Sequence, residues 1–236
     1  MLINKIDLST VGSTNTWAKE HIQEFDVEAL TVITAEEQTA GRGRFKRMWV
    51  SPKGGSLYVT YVFFIKNLEL SLGNLPQLLA LSAYKVIPKG INIKWPNDLV
   101  IGEKKLGGIL CEIVEAKERY AIVIGLGLNI NLSISSLKII DQPATTLTME
   151  LEEASRLKEK IHKTFAKDLF VFLKQGFNPF LNLFREALIH KKGELIKFSN
   201  FQQIILGTFE QVNDDGSLAL IINGVLERQV SGELLI

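Results

Sequence analysis

The chain has 236 residues, 46% of them hydrophobic, and a formal net charge of +1. That length accommodates one large domain, or one domain with a small appendage, around a full core. A charge balance near zero excludes a global field drawing the protein to nucleic acid or a membrane surface, and the longest apolar run, Leu57 to Ile65, is far below the ~20 residues of a membrane span.

Residues Met1 to Leu8 alternate loosely and read as an edge strand. Ser13-Thr-Asn-Thr16 supplies N-cap candidates for a helix running to about Phe25, with Trp17, Ala18 and Ile22 on one face. Leu30 to Ala35 is a short apolar strand, Ser56 to Ile65 a β-rich run, and Asn74 with Pro76 opens a helix closed by Pro88. Ile91 to Trp95 forms a strand stopped by Pro96-Asn97-Asp98, and Leu99 to Ile101 pairs with Leu106 to Val114 through residues 102–105. Cys111 lies in that second run and reads as a buried strand residue; as the only cysteine it allows no intrachain disulfide. Tyr120 to Leu132 is apolar on both faces and reads as a central strand, with close backbone packing at Gly125-Leu-Gly127. The expected architecture is α+β: a mixed, mainly antiparallel sheet with helices on one face.

Ala154, Leu157, Ile161, Phe165, Leu169 and Leu173 form the apolar stripe of a long helix, and Asn178-Pro179 starts another that Gly193 ends. From Glu194 onward short strand-like runs, 195–198, 204–211, 218–222 and 225–230, are separated by Asp214-Asp-Gly216 and Asn223-Gly224. Asn-Gly between apolar runs signals a tight hairpin. Two domains are expected, at 1–190 and 191–236, the second a small β-barrel.

The stretch least explained as plain structure is Thr39 to Tyr58. Gly41 and Gly43 alternate with Arg42 and Arg44, Lys46 and Arg47 follow, and Trp49 lies just beyond. Glycines let a backbone present its N–H groups to a ligand, arginine forks match phosphate and carboxylate oxygens, and an indole offers a flat face to a ring. An anionic, ring-bearing ligand such as a nucleotide fits; a basic surface loop is the alternative. The P-loop pattern and the dinucleotide fingerprint are both absent. The histidines, His21, His162 and His190, fall in helical stretches as surface or core residues, and no His/Cys/Asp cluster argues for a structural metal.

Ser13-Thr-Asn15, Gln38-Thr-Ala-Gly-Arg-Gly-Arg44 with Trp49, Lys94-Trp-Pro-Asn-Asp98 and Lys104-Lys-Leu-Gly-Gly-Ile-Leu110, at this spacing, together resemble the biotin protein ligases. Ser-Pro-x-Gly-Gly-x-Leu-Tyr after the arginine loop and Gly-Leu-Gly-Leu-Asn-Ile-Asn131 extend the likeness over nearly the whole chain. Phe45-Lys46-Arg47 departs from it, because members often carry glycine near position 46, and no role is assigned there. About a dozen residues precede Ser13, too few for the winged-helix DNA-binding domain of some members. The ligase-only form is therefore implied.

The resemblance implies a class II synthetase-like catalytic domain with an SH3-like barrel after it. It implies formation of biotinyl-5′-AMP from biotin and Mg·ATP, followed by biotin transfer to a lysine of a biotin carboxyl carrier protein of acetyl-CoA carboxylase. The catalytic set is Arg44, Lys105, Lys94 and Asp98. Asp98 either orients the incoming amine or accepts its proton, or else it caps the Pro96-Asn97 turn and pairs with a lysine. Biotin would meet Ser13, Thr14, Asn15, Gln38, Gly41, Arg42, Arg44, Lys105, Gly107 and Gly108, of which Ser13 and Thr14 can equally cap a helix. The adenylate would meet Arg42, Arg44, Trp49, Lys94, Asn129 and Asn131. Mg²⁺ would be held by phosphates and water rather than by a protein site. A cytoplasmic enzyme, dimeric with itself and without nucleic-acid or membrane partners, completes the expectation. A lipoate or octanoate ligase on the related fold is the nearest rival, and a nucleotide-responsive regulator the rival from another class.

Overall fold

The computed structural model describes residues 2–68, 72–88 and 90–235, with the backbone alone at Lys46. Met1 of the first expected strand and the Lys46 side chain therefore lie outside the described residues.

Seven strands form the main sheet: β1 (Leu2–Val11), β2 (Ala29–Gln38), β3 (Ser56–Ile65), β4 (Asn92–Lys94), β5 (Asp98–Ile101), β6 (Lys104–Ala116) and β7 (Arg119–Asn129). Their order is β1-β2-β3-β7-β6-β5-β4, so β7 is central and β1 an edge. Strands β1 and β2 are parallel and every other pair is antiparallel. Along β3, Val59, Tyr61 and Phe63 face one side and pack, with Ile122 and Ile124 of β7, against helices α2 (Leu75–Tyr84), α4 (Leu151–Gln175) and α5 (Asn178–Ala187). Val62 and Phe64 face the other side and, with Val123, cover Ala18 of α1 (Thr14–Glu20) and Ile22. The expectation of helices on one face is thus corrected. Strands apolar on both faces need cover on both, and α1 supplies part of the second layer.

Local departures matter for the site. The β5–β6 turn is only Gly102-Glu103, because Ile101 pairs with Lys104. Lys105 is consequently a strand residue rather than part of a loop, and its side chain is 17% exposed. The first helix stops at Glu20 and continues as a single tight turn, Ile22–Glu24. Helix α5 ends at Ala187, not near Gly193, because the next residues bridge to β4 through Ile189 N–H donating to Ile93. His190 therefore lies outside a helix. A short helix α3 (Ile134–Lys138) was not foreseen.

The C-terminal strands β8 (Leu195–Ser199), β9 (Ile204–Val212), β10 (Leu218–Ile222), β11 (Val225–Gln229) and β12 (Glu233–Leu235) form one antiparallel sheet ordered β11-β10-β9-β8-β12. Asn223-Gly224 makes the expected two-residue turn, with Ile222 facing Val225. Strand β12, three residues long, shows no alternation and was missed. This sheet is joined to the main body: Phe198, Phe209, Leu218 and Leu234 belong to the same apolar cluster as Trp95 and Phe165. Trp95 Nε1 donates to the Gly216 carbonyl at 2.8 Å and Arg185 Nε to that of Val212 at 2.8 Å.

Candidate active site

The α1-facing side of β3, β6 and β7 holds a cavity of about 240 Å³. Its floor exists because register stacks glycines there. Gly125 pairs with Thr60, Gly127 with Tyr58, and Gly108 with Gly127, all pointing toward α1. Side chains from elsewhere fill the space. The Trp49 ring lies so close over Gly127 that a Cβ there would meet its Cε2 at 2.5 Å, and Asn15 sits over Gly125. Two glycines two residues apart share one face of a strand, so this floor was legible in Gly125-Leu-Gly127, read only as close packing.

The first end of the cavity is lined by neutral hydroxyls and amides, with the Glu112, Lys19 and Arg42 charges paired at its edge. Gln38 Oε1 accepts from the Thr14 N–H at 2.9 Å and from its hydroxyl at 3.1 Å, while Gln38 Nε2 donates to Ser51 Oγ at 3.0 Å. Thr60 Oγ1 lies 2.8 Å from Thr14 Oγ1 and 2.6 Å from Asn15 Oδ1. The amide of Asn15 donates to Glu112 Oε2 at 3.1 Å. Ser13 occupies the helix N-cap position, but its side chain makes no capping hydrogen bond. Burial works to raise the Glu112 pKa, and the hydrogen bonds of Lys19 and Asn15 with the charges of Lys19 and Arg42 outweigh it, so its carboxyl is held below the usual range.

The other end is charged. Asp98, 5% exposed, accepts from Lys105 Nζ at 2.9 Å and lies 3.8 Å from Lys94 Nζ. Arg44 Nη1 donates to Asn97 Oδ1 at 3.1 Å, so Arg44 and Lys105 meet at adjacent residues of one turn. Burial lowers the pKa of Arg44 and of Lys94, partly offset in each by Asp98. Lys105 Nζ also stands 5.5 Å from the Trp49 ring centroid, within cation–π range.

Ser13, Thr14, Asn15, Gln38, Arg42, Arg44, Trp49, Asp98, Lys105, Gly108 and Asn129 all line this cavity. Four expected residues stand off its wall. Gly41 closes the base of the arginine loop against Trp49 and Ser51, and Gly107 faces Leu99 and Leu128 on the core side. Lys94 lies behind Asp98. Asn131 is engaged with Met149, donating to its carbonyl at 2.8 Å and accepting from its N–H at 3.0 Å. Lining residues missed in the sequence include Tyr58, Asn97, Gly125, Glu233 and the segment Ile139–Gln142 with Ala144. Tyr58 pairs with Gly127 on the site face, and burial pushes its hydroxyl up to about 12. Nothing local in sequence joins Glu233 to a loop nearly two hundred residues earlier.

Residues 8–129 match the model of the Biotin/lipoate A/B protein ligase family, and the chain belongs to that family. Among solved structures it is similar to the biotin protein ligase from Aquifex aeolicus in complex with biotin and ATP. The two are 28% identical, with a TM-score of 0.76, over 98% of this chain and 97% of that one. It is 28% identical to the biotin–[acetyl-CoA-carboxylase] ligase of Paracoccus denitrificans, over 84% of this chain and 86% of the relative. It is also 28% identical to the bifunctional ligase/repressor BirA of Bacillus subtilis, covering 86% of this chain and 65% of that protein's length. Among the described residues no helix is long and apolar enough to cross a membrane.

Proposed function

We propose that the chain is a biotin protein ligase that makes biotinyl-5′-AMP from biotin and ATP and transfers the biotinyl group to a carrier-domain lysine. The observation carrying this reading is the division of one cavity into a neutral hydroxyl–amide end and a cationic end. Biotin's ureido ring has two N–H donors and one carbonyl acceptor, which Ser13, Thr14, Asn15 and Gln38 can match. Its carboxylate then reaches Arg44 and Lys105, where charge must be neutralised before two anions react.

In the first step the biotin carboxylate oxygen forms a bond to the α-phosphorus, and the bond to pyrophosphate breaks. Arg44 and Lys105 offset the charge on the phosphate oxygens, and Arg42, held beside Glu112 and Thr16, swings in to join them. Lys94 acts from behind by holding Asp98. In the second step a neutral lysine amine attacks the acyl carbon, AMP leaves with the bonding pair, and the surplus amine proton passes to water. A free lysine is about one part in a thousand neutral at pH 7.4, and cations nearby favour its neutral form. Asp98 orients the amine through its remaining lone pairs. Trp49 supplies the face for adenine, with Asn129 at the rim, while Asn131 acts by holding the Met149 backbone. Gly41 and Gly107 shape the loop and the strand rather than touching biotin.

Mg²⁺ keeps several waters and is ordinarily bound through substrate phosphates rather than by an all-protein cage. The metal in this reading travels with the triphosphate, held by its oxygens and water. The carrier partner is the biotin carboxyl carrier domain of acetyl-CoA carboxylase, and the enzyme is cytoplasmic and homodimeric. Residues 1–190 form the catalytic domain, and residues 191–236 an SH3-like barrel.

The test is biotin-dependent pyrophosphate–ATP exchange on the unmodified protein, Arg44→Ala and Lys105→Ala. Both variants should stay folded and lose more than about 100-fold in exchange. Stabilisation by lipoate and not by biotin in a thermal-shift comparison would assign the chain to the other branch of its family.

A further inference from the structure

The arginine loop is attached to the C-terminal sheet through Arg44 and also through Phe45 and Arg47, to which the proposed chemistry gives no role. Phe45 has φ 54° and ψ 36°, and Phe201, between β8 and β9, has φ 70°. Both are bulky residues in the left-handed region, a conformation unfavourable by roughly 1–2 kcal/mol, and both are substantially exposed. Burial explains neither, and the two are in contact: their rings meet at a centroid distance of 4.0 Å, and the Arg44 guanidinium stands 5.0 Å from the Phe45 centroid and 6.0 Å from that of Phe201.

The turn presenting Phe201 is itself pinned. Asn200 Oδ1 accepts from the N–H groups of Gln202 and Gln203 at 3.1 and 2.9 Å, and Ser199 Oγ from that of Phe201 at 3.2 Å. A second attachment lies before β12. Arg44 Nη1 donates to the Gly232 carbonyl at 3.3 Å, and Arg47 pairs with Glu233 at 3.0 Å. Gly232 has φ 150°, and a Cβ there would collide with the Phe198 ring, so only glycine aims this carbonyl at Arg44.

We propose that Phe201 is a positioning residue: its ring, packed at a tilt of 46° against Phe45, fixes the loop so that Arg44 points at the reacting phosphate. The C-terminal sheet thereby sets the geometry of a site more than 150 residues earlier in the chain. The proposal rests on the ligase reading for the role of Arg44, but the clasp itself stands on the contacts alone.

Two measurements on the full chain separate the two ideas. Arg42, Arg44 and Arg47 are trypsin sites within the clasped loop. Without ligand, Phe201→Ala should raise the nicking rate there roughly 3- to 10-fold, the population shift expected from losing one aromatic pair. In pyrophosphate exchange it should raise the KM for ATP by a similar factor, or lower kcat where closure limits turnover. Phe201→Tyr makes the same backbone demand and keeps the ring, so it should restore both readouts. The proposal is overturned if Phe201→Ala matches the unmodified protein in nicking and kinetics, or if tyrosine fails to rescue. It is also overturned if the alanine variant melts many degrees lower, which marks a merely structural residue. An unmodified protein with no exchange at all overturns the ligase reading, while the nicking comparison still decides the clasp.

Discussion

Gly127→Ala tests the site through its floor. A Cβ at this position would lie 2.5 Å from both Cε2 and Nε1 of Trp49, whereas carbon atoms in contact sit about 3.5–4.0 Å apart. The floor is the central strand, hydrogen-bonded on both sides, so the indole must retreat by about 1 Å or more. Alanine in an unobstructed strand position would stabilise by about 0.5–1 kcal/mol, and overpacking costs about 1–3 kcal/mol. The expected net loss is about 0–2.5 kcal/mol, or up to roughly 10 °C in Tm at this chain length. Activity should suffer far more, because misplacing a positioning group by about 1 Å lowers rates about 100-fold. Pyrophosphate exchange, a thermal melt and indole emission, read together, measure this. Gly12→Ala, where a Cβ meets nothing within 4 Å, is the nearby control and should be inert. Exchange within threefold of the unmodified protein, with emission unchanged, would refute the assignment of Trp49 to the ligand wall.

Asp98→Asn leaves the buried ammonium of Lys94, 8% exposed, and that of Lys105 without their counter-charge. Removing one partner of a buried pair costs about 3–5 kcal/mol, to be read from urea midpoints; a loss below about 1 kcal/mol contradicts the buried ion cluster. His162 lies under the sheet with Nδ1 2.7 Å from Tyr61 Oη, and burial brings its pKa down to about 4 from 6.5. Protons therefore bind the unfolded chain preferentially, and stability complete above pH 6.5 falls by up to about 3 kcal/mol as pH drops toward 4. His162→Gln should flatten that slope in pH-dependent urea unfolding, and equal slopes would remove His162 as its cause. Water hydrolyses an acyl adenylate, so the loop 41–49 should close over the intermediate. Hydrogen exchange at 41–49 is expected to slow when biotin and ATP are present together, and unchanged exchange tells against closure.

How far the sequence reached depended on whether a signal was local. Strands β3 and β10 fall where their apolar runs begin and end, and the Asn223-Gly224 turn followed from two residues. The apolar run of β7 announced a strand covered on both faces, and it is central. The same logic applied to β3 would have required a helix on the second face, which α1 provides. Lys105 was expected as the last residue of a four-residue loop, yet a two-residue turn placed it on β6. Strand β12 and helix α3 were too short to carry a period.

The sequence by itself determined which chemistry was available: a neutral polar set at 13–15 and 38, cations at 42, 44, 94 and 105, and an indole at 49. Residue type carries that information without any neighbour. Only the tertiary structure decided which of these groups share a cavity. Strand register stacks the glycines of β6 and β7 into a floor, and that floor admits Trp49 while leaving Lys94 behind Asp98 and Asn131 against Met149. Register and long-range closure are set by pairings between residues far apart in the chain, and no window of sequence contains both partners.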